Sequence, residues 1–187
     1  SLKLGPGQLL WTPNSNGWQL LSTELTLADA LTQWPGLTLQ LSRADEQYLA
    51  TLRDFQLDAL QPLAQLLAED SEKLEAILTY QPAGYLQQLQ LLVQQEQWQL
   101  TGKVEALSTA AVGDVPGVKQ LQVQLAASKH LAWLRLNGEQ QTLDWDGLFP
   151  MSWDYQQLVV ELRLVPTAAG WQIQIPDFKL QHNDFEL

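Results

Sequence analysis

The chain has 187 residues, 45% of them hydrophobic, with 21 acidic against 10 basic side chains and a formal net charge of -11. That is enough apolar material for one real core. The acidic balance repels phosphate backbones and argues against nucleic acid as a partner, and the absence of cysteine removes disulfides, thiolate metal sites and thiol catalysis.

In chain order the sequence reads mainly as strand. Pro13 to Gly17 is a turn signal, and Trp18 then opens a strand through Leu20. The apolar positions next move to Leu25 and Leu27, which changes parity. A one-residue slip sends side chains to the opposite face, so a bulge or kink is expected between them. Leu37, Leu39 and Leu41 alternate as a further strand. From about Asp58 to Tyr80 the period changes to a helical one. Leu60, Leu63, Leu66 and Leu67 form one apolar stripe, and Leu74, Ile77 and Leu78 a second. Pro62 suits a first helical turn, Asp70 or Ser71 can cap the second helix, and Pro82 ends it. Two short helices are therefore expected between two blocks of strands.

Alternation returns at Trp98, Leu100, Gly102 and Val104, at Leu121, Val123 and Leu125, and at Leu158, Val160, Leu162 and Leu164. It closes with Trp171, Ile173 and Ile175, after which Phe178 and Leu180 sit on the other parity with Pro176 at the switch. Between them fall polar partners: Gln120, Gln122 and Gln124, then Glu161 and Arg163, then Gln172 and Gln174. One apolar and one polar face per strand is the pattern of antiparallel sheets with a wet side. The fold class expected is mainly β (α+β), an extended, curved antiparallel sheet with repeated strand units and two short helices near the middle. Residues 1–57 form the first strand block, 58–82 a helical insertion and 83–187 the second strand block. Together they read as one continuous domain. Because the chain opens on Ser1 rather than Met, it reads as a mature protein or as a fragment of a longer one, and the fragment is the expectation kept.

The repetition rests on one phrase. Gly17-Trp18-Gln19-Leu20, Gln97-Trp98-Gln99-Leu100 and Gly170-Trp171-Gln172-Ile173 each set Trp-Gln before a branched aliphatic residue. Nine residues after each Trp stands another Leu: Leu27, Leu107 and Leu180. The three Trp residues are expected on one side of the sheet, each followed by a bulge or bend.

Chemistry is sparse. His130 and His182 are far apart in sequence, and no nucleophile elbow, phosphate loop or zinc-binding helix occurs. Glu69, Asp70, Glu72 and Glu75 read as a solvated helix face. Asp144, Asp146 and Asp154 surround Trp145, Phe149 and Trp153. Carboxylates beside aromatics serve glycosidases and cation sites, but turn-forming aspartates account for the spacing more simply. No catalytic residue, metal site or cofactor is expected. Eight Trp residues remain as the oddity. An apolar strand face must cover something. With two short helices available, some faces lack a protein partner, which points to an apolar groove. Its candidate lining is Trp18, Trp98, Leu121, Val123, Leu125, Leu158, Val160, Leu162, Trp171, Ile173 and Ile175.

The C-terminal stretch carries a resemblance. Trp145-Asp-Gly-Leu-Phe149-Pro150, Leu158-Val-Val-Glu-Leu162, Gly170-Trp171-Gln-Ile-Gln-Ile175 and Phe178-Lys-Leu-Gln-His-Asn183-Asp184-Phe185 follow in an order that resembles YhdP-like proteins of the AsmA-like superfamily. Upstream, Pro82-Ala-Gly84-Tyr-Leu86 and Val115-Pro116-Gly117-Val118 look like that family's strand opening and Pro-Gly turn. The resemblance implies a periplasmic part of a long protein anchored in the bacterial inner membrane. Such proteins are similar to bridge-like lipid-transfer proteins, and their strands form an apolar trough for phospholipid moving toward the outer membrane. The partners implied are phospholipid acyl chains and neighbouring repeats of the parent protein. Membrane contact would come only through parts outside this chain. Two other readings compete: a sugar-binding or glycan-processing β-domain using exposed Trp beside the Asp cluster, and a structural spacer or docking domain.

Overall fold

The computed structural model describes residues 3–64, 72–144, 152–168 and 170–182. Twelve strands form one antiparallel sheet. They are β1 (Lys3–Leu4), β2 (Leu9–Asn14), β3 (Gly17–Ser22), β4 (Leu25–Ala28), β5 (Gln33–Ala44) and β6 (Gln47–Gln56). After the helical segment follow β7 (Ala83–Gln94), β8 (Gln97–Thr109), β9 (Val118–Ser128), β10 (Ala132–Leu143), β11 (Trp153–Thr167) and β12 (Gly170–Gln181). From β5 to β12 each strand pairs with the next in sequence. At the other edge β3 and β4 lie end to end along β5, with β2 outside β3 and β1 outside β4. The sheet is curved and open.

Helix amounts to a 3₁₀ turn at Leu57–Ala59, α1 (Leu60–Ala64) and α2 (Glu72–Thr79). The fold is therefore mainly β, and the α+β label overstates it. Pro62 stands in the first turn of α1, where its missing N–H costs nothing. The capping residues Asp70 and Ser71 lie outside the described residues. All three Trp-Gln phrases follow a turn and share one hairpin register: Pro13 faces Trp18, Val93 faces Trp98 and Pro166 faces Trp171. Register shifts follow in each case, between Leu25 and Leu27, between Val104 and Leu107, and where β12 passes Ile175 and Pro176. The likeness is confined to these hairpins. They are not evenly spaced units of a solenoid, so "repeated strand units" is too loose a description.

A crease crosses the middle of the sheet. Asp54, Gly84, Ala106, Gln120 and Gln140 have positive φ, one in each of the successive strands β6 to β10. They are neighbours in space. A Cβ on Gly84 would lie 2.8 Å from the Ala106 carbonyl oxygen. The Gln120 N–H donates to Ser108 Oγ at 3.1 Å, and Gln141 Nε2 donates to Gln120 Oε1 at 2.9 Å. A left-handed residue in a strand makes a bulge and turns the following side chain to the face of its predecessor. Where such a residue stands between them, apolar residues three apart share one face, as across Asp54, Ala106 and Gln120. Leu52 and Phe55, Leu86 and Leu89, Val104 and Leu107, Val118 and Leu121, and Tyr155 and Leu158 all belong to one core. Ala59 is part of that core, and Leu57, Leu60 and Leu63 pack on it, so the helical segment covers this end of the sheet.

Candidate functional site: an open apolar face

Residues directly opposite in an antiparallel pair share a face, so the register assigns the faces. Trp18 faces Arg43, Arg43 faces Tyr48, Tyr48 faces Val93 and Val93 faces Trp98. Two residues on, Leu100 leads through Ala127, Ala132 and Leu164 to Ile173, which neighbours Trp171 on the same side. All three repeated Trp residues thus point to one face, as expected. The next rows hold Leu41, Ala50, Leu91 and Leu100, then Leu39, Leu52, Leu89, Gly102, Leu125, Leu134 and Leu162. Among these described positions Arg43 is the single charged side chain. Its Nε donates to the Asp45 carbonyl at 3.1 Å, and its guanidinium lies 5.4 Å from the Tyr48 ring centre.

The reverse face carries most of the charged side chains, with Leu49, Leu92, Trp133 and Val159 among them. Arg53, Gln88, Lys103, Gln124, Arg135, Glu161 and Asp177 form one continuous row. On it the indole of Trp133 and the guanidinium of Arg163 hold the Glu161 carboxyl below its ordinary range, with Arg163 Nη2 at 2.8 Å.

The apolar face changes character along its strands. Under the helical cover Leu121 is 1% exposed, and Val123 and Leu158 are buried with it. Leu125, Val160 and Leu162 are half-buried further along. Toward the tight hairpins Trp18 is half-buried and stacks on Trp11 at 4.9 Å, and Trp98 is 37% exposed. On β12 Trp171 and Ile173 are 64% exposed and Ile175 58%. Of the eleven candidate residues, Leu121, Val123 and Leu158 are thus packed core, while the others line the half-buried and open part. A shallow hollow of about 120 Å³ lies along the open part beside Trp18, Leu41, Tyr48 and Leu91. In the closed part, Trp34 Nε1 and the Tyr155 hydroxyl are buried without a hydrogen-bond partner. Burial pushes the Tyr155 hydroxyl pKa up.

The chain matches a family model described as YhdP protein over residues 1–187. The chain belongs to the YhdP family. No curated protein and no solved structure matches it.

Of the aspartates that the sequence singled out beside aromatics in this YhdP-family chain, those among the described residues are held by local hydrogen bonds. Asp144 is tied to Gly117 by two backbone hydrogen bonds of 2.7 and 3.1 Å, and Asp154 accepts from Thr142 Oγ1 at 2.9 Å. Asp146, Trp145 and Phe149 lie outside the described residues, as do Glu69 and Asp70. A polar cleft of about 400 Å³ runs beside Asp154, lined by Gln140, Gln141, Thr142, Tyr155 and Gln156, with no Trp among its described lining. His130 is exposed in the turn before β10. Among the described residues no group of His, Asp and Glu could hold a metal ion, and no helix is long and apolar enough to cross a membrane.

The parity switch placed a bulge before Leu107 but not its alignment with the neighbouring strands, though a signal for that is in the sequence. Trp34-Pro-Gly-Leu37, Leu52-Arg-Asp-Phe55, Leu86-Gln-Gln-Leu89, Val104-Glu-Ala-Leu107, Val118-Lys-Gln-Leu121, Tyr155-Gln-Gln-Leu158 and Ile175-Pro-Asp-Phe178 share one spacing, two large apolar residues around two that are polar, small or proline.

Proposed function

We propose that this chain is a non-enzymatic segment of a bacterial envelope protein, and that its apolar face carries phospholipid acyl chains between the inner and outer membranes. The observation that supports this most is the open half of the apolar face, which crosses the sheet from Trp11 and Trp18 to Trp171 and Ile173 with one charge in its described rows. An acyl chain needs a long apolar surface and almost no hydrogen bonding, and each buried methylene contributes about 0.8 kcal/mol. A curved sheet, wet on its reverse face and dry on the other, provides that surface continuously. Membership of the YhdP family supports the same reading, because YhdP-like proteins resemble bridge-like lipid-transfer proteins of the AsmA-like superfamily. On this reading the chain sits in the periplasm, with its neighbouring repeats and its inner-membrane anchor supplied by the rest of the parent protein.

The test is lipid recovered with the purified protein by mass spectrometry, set beside thermal unfolding. Phospholipid is expected with the native chain. It is expected to be lost in Ile173→Asp at an unchanged unfolding midpoint, since that site is exposed and the charge resists desolvation. Val160→Glu is expected to lose lipid with some loss of stability. A folded native chain that neither carries nor crosslinks lipid would leave the spacer reading in place.

A further inference from the structure

We propose that the free edge of β12 receives one further antiparallel strand, in the register that β5 uses on β3 and β4. The occupant we infer is an extended, weakly charged polypeptide segment with β5's alternation of aliphatic and polar side chains.

The chain already contains this junction once. In the β2–β3 hairpin Pro13 faces Trp18 and Asn14 faces Gly17, and in the β11–β12 hairpin Pro166 faces Trp171 and Thr167 faces Gly170. Setting Trp171 on Trp18 places Ile173 on Leu20, Phe178 on Leu25 and Leu180 on Leu27. On the far side of the first hairpin β5 puts Arg43 opposite Trp18, Leu41 opposite Leu20, Leu37 opposite Leu25 and Trp34 opposite Leu27. β12 has β11 on one side and no strand on the other among the described residues.

Three details fit an edge shaped for a strand. A Cβ on Gly17 would lie 1.9 Å from the Arg43 carbonyl oxygen, so glycine there makes room for β5. Gly170 holds the same hairpin position with nothing within 4 Å, although its φ of +134° gives it a second reason to be glycine. Pro176 donates no hydrogen bond, yet it aligns with Thr23, in the gap between β3 and β4 where β5 makes no pair. Finally, Leu25 is buried beneath β5's neighbourhood while its counterpart Phe178 is 48% exposed. From Gly170 to Ile175 the edge carries no Lys, Pro or inward charge of the kind that blunts natural edges.

The probe is a labelled synthetic peptide with the sequence of Gln33–Ala44, titrated with the intact chain and followed by fluorescence anisotropy. Saturable binding is expected, weakened about tenfold or more by Ile173→Lys, which removes one cross-strand apolar pair and leaves the core untouched. N-methylation of alternate peptide residues separates strand addition from apolar adhesion. In a strand successive N–H groups point to opposite edges, so one alternate set abolishes binding and the other leaves it intact. No saturable binding, equal loss from both methylated sets, or a stable dimer joined through β12 in light scattering each overturns the proposal.

Discussion

The covered and open ends of the apolar face use the same residue types on the same side of the sheet, yet they are different environments. At the covered end, Leu121 and Val123 meet Tyr155 and Leu158 across the crease, with Ala59 and Leu60 from the helical segment packed against them. At the hairpin end the face continues as Leu91, Trp98, Trp171 and Ile173, all at least 37% exposed, with no second layer above them among the described residues. Burial, and with it stability, belongs to the first region. Accessible apolar surface, and with it the capacity to bind, belongs to the second.

The largest test of this contrast is a pair of truncations. Leu121→Ala is expected to lower stability by about 3–4 kcal/mol, the cost of a cavity in a packed core. Ile173→Ala is expected to change it by less than about 0.5 kcal/mol, the range for exposed sites. Urea unfolding midpoints at constant slope check both, and equal losses would dissolve the distinction.

The crease that joins the two regions gives the next effect. Gly84 has φ of +133° and no room for a Cβ beside the Ala106 carbonyl, so Gly84→Ala is expected to cost about 2–3 kcal/mol. Ala106 pays for its own positive φ of 52°, and Ala106→Gly is expected to stabilise by about 0.5–1 kcal/mol in the same assay.

Tyr155 sharpens the description of the covered end. Its buried hydroxyl lacks a partner, so Tyr155→Phe is expected to be neutral or to stabilise by up to about 1 kcal/mol. Burial raises its pKa above the ordinary 10.0. The folded state therefore holds the proton longer than the unfolded chain. This contribution is complete below pH 10 and is lost as pH climbs through the folded value. Alkaline unfolding of the native chain and of Tyr155→Phe should diverge only above that pH. The smallest effect lies on the reverse face, where Lys103 pairs with Glu105 at 3.7 Å with both side chains more than 40% exposed. Lys103→Ala is expected to stay within about 0.5 kcal/mol of the native chain.

Much of the fold was legible because its signal is local. Alternation at Leu121 to Leu125 and at Leu158 to Leu164 placed β9 and β11, and the turn chemistry before Trp18 and Trp171 placed two hairpins in the same register. The helical stripes at Leu60 to Leu63 and at Ile77 and Leu78 placed α1 and α2. What escaped was the meaning of apolar pairs three apart. Read by period two, Val104 and Leu107 belong to opposite faces, and only the left-handed Ala106 between them returns both to one core. Likewise eleven apolar residues read alike as groove lining, because hydrophobicity does not say whether another layer lies above.

By itself the sequence determined which residues share a strand, which hairpins close tightly, and that one face would be dry and the other rich in Gln. These follow from side-chain period and turn chemistry, both set within a few residues. Only the tertiary structure decided that twelve strands join in one open sheet, that five residues of positive φ align into a crease, and that the helical segment closes one end of the dry face. Burial depends on what arrives from elsewhere in the chain, so Leu121 and Ile173, equivalent in a strand pattern, end as core and as open surface.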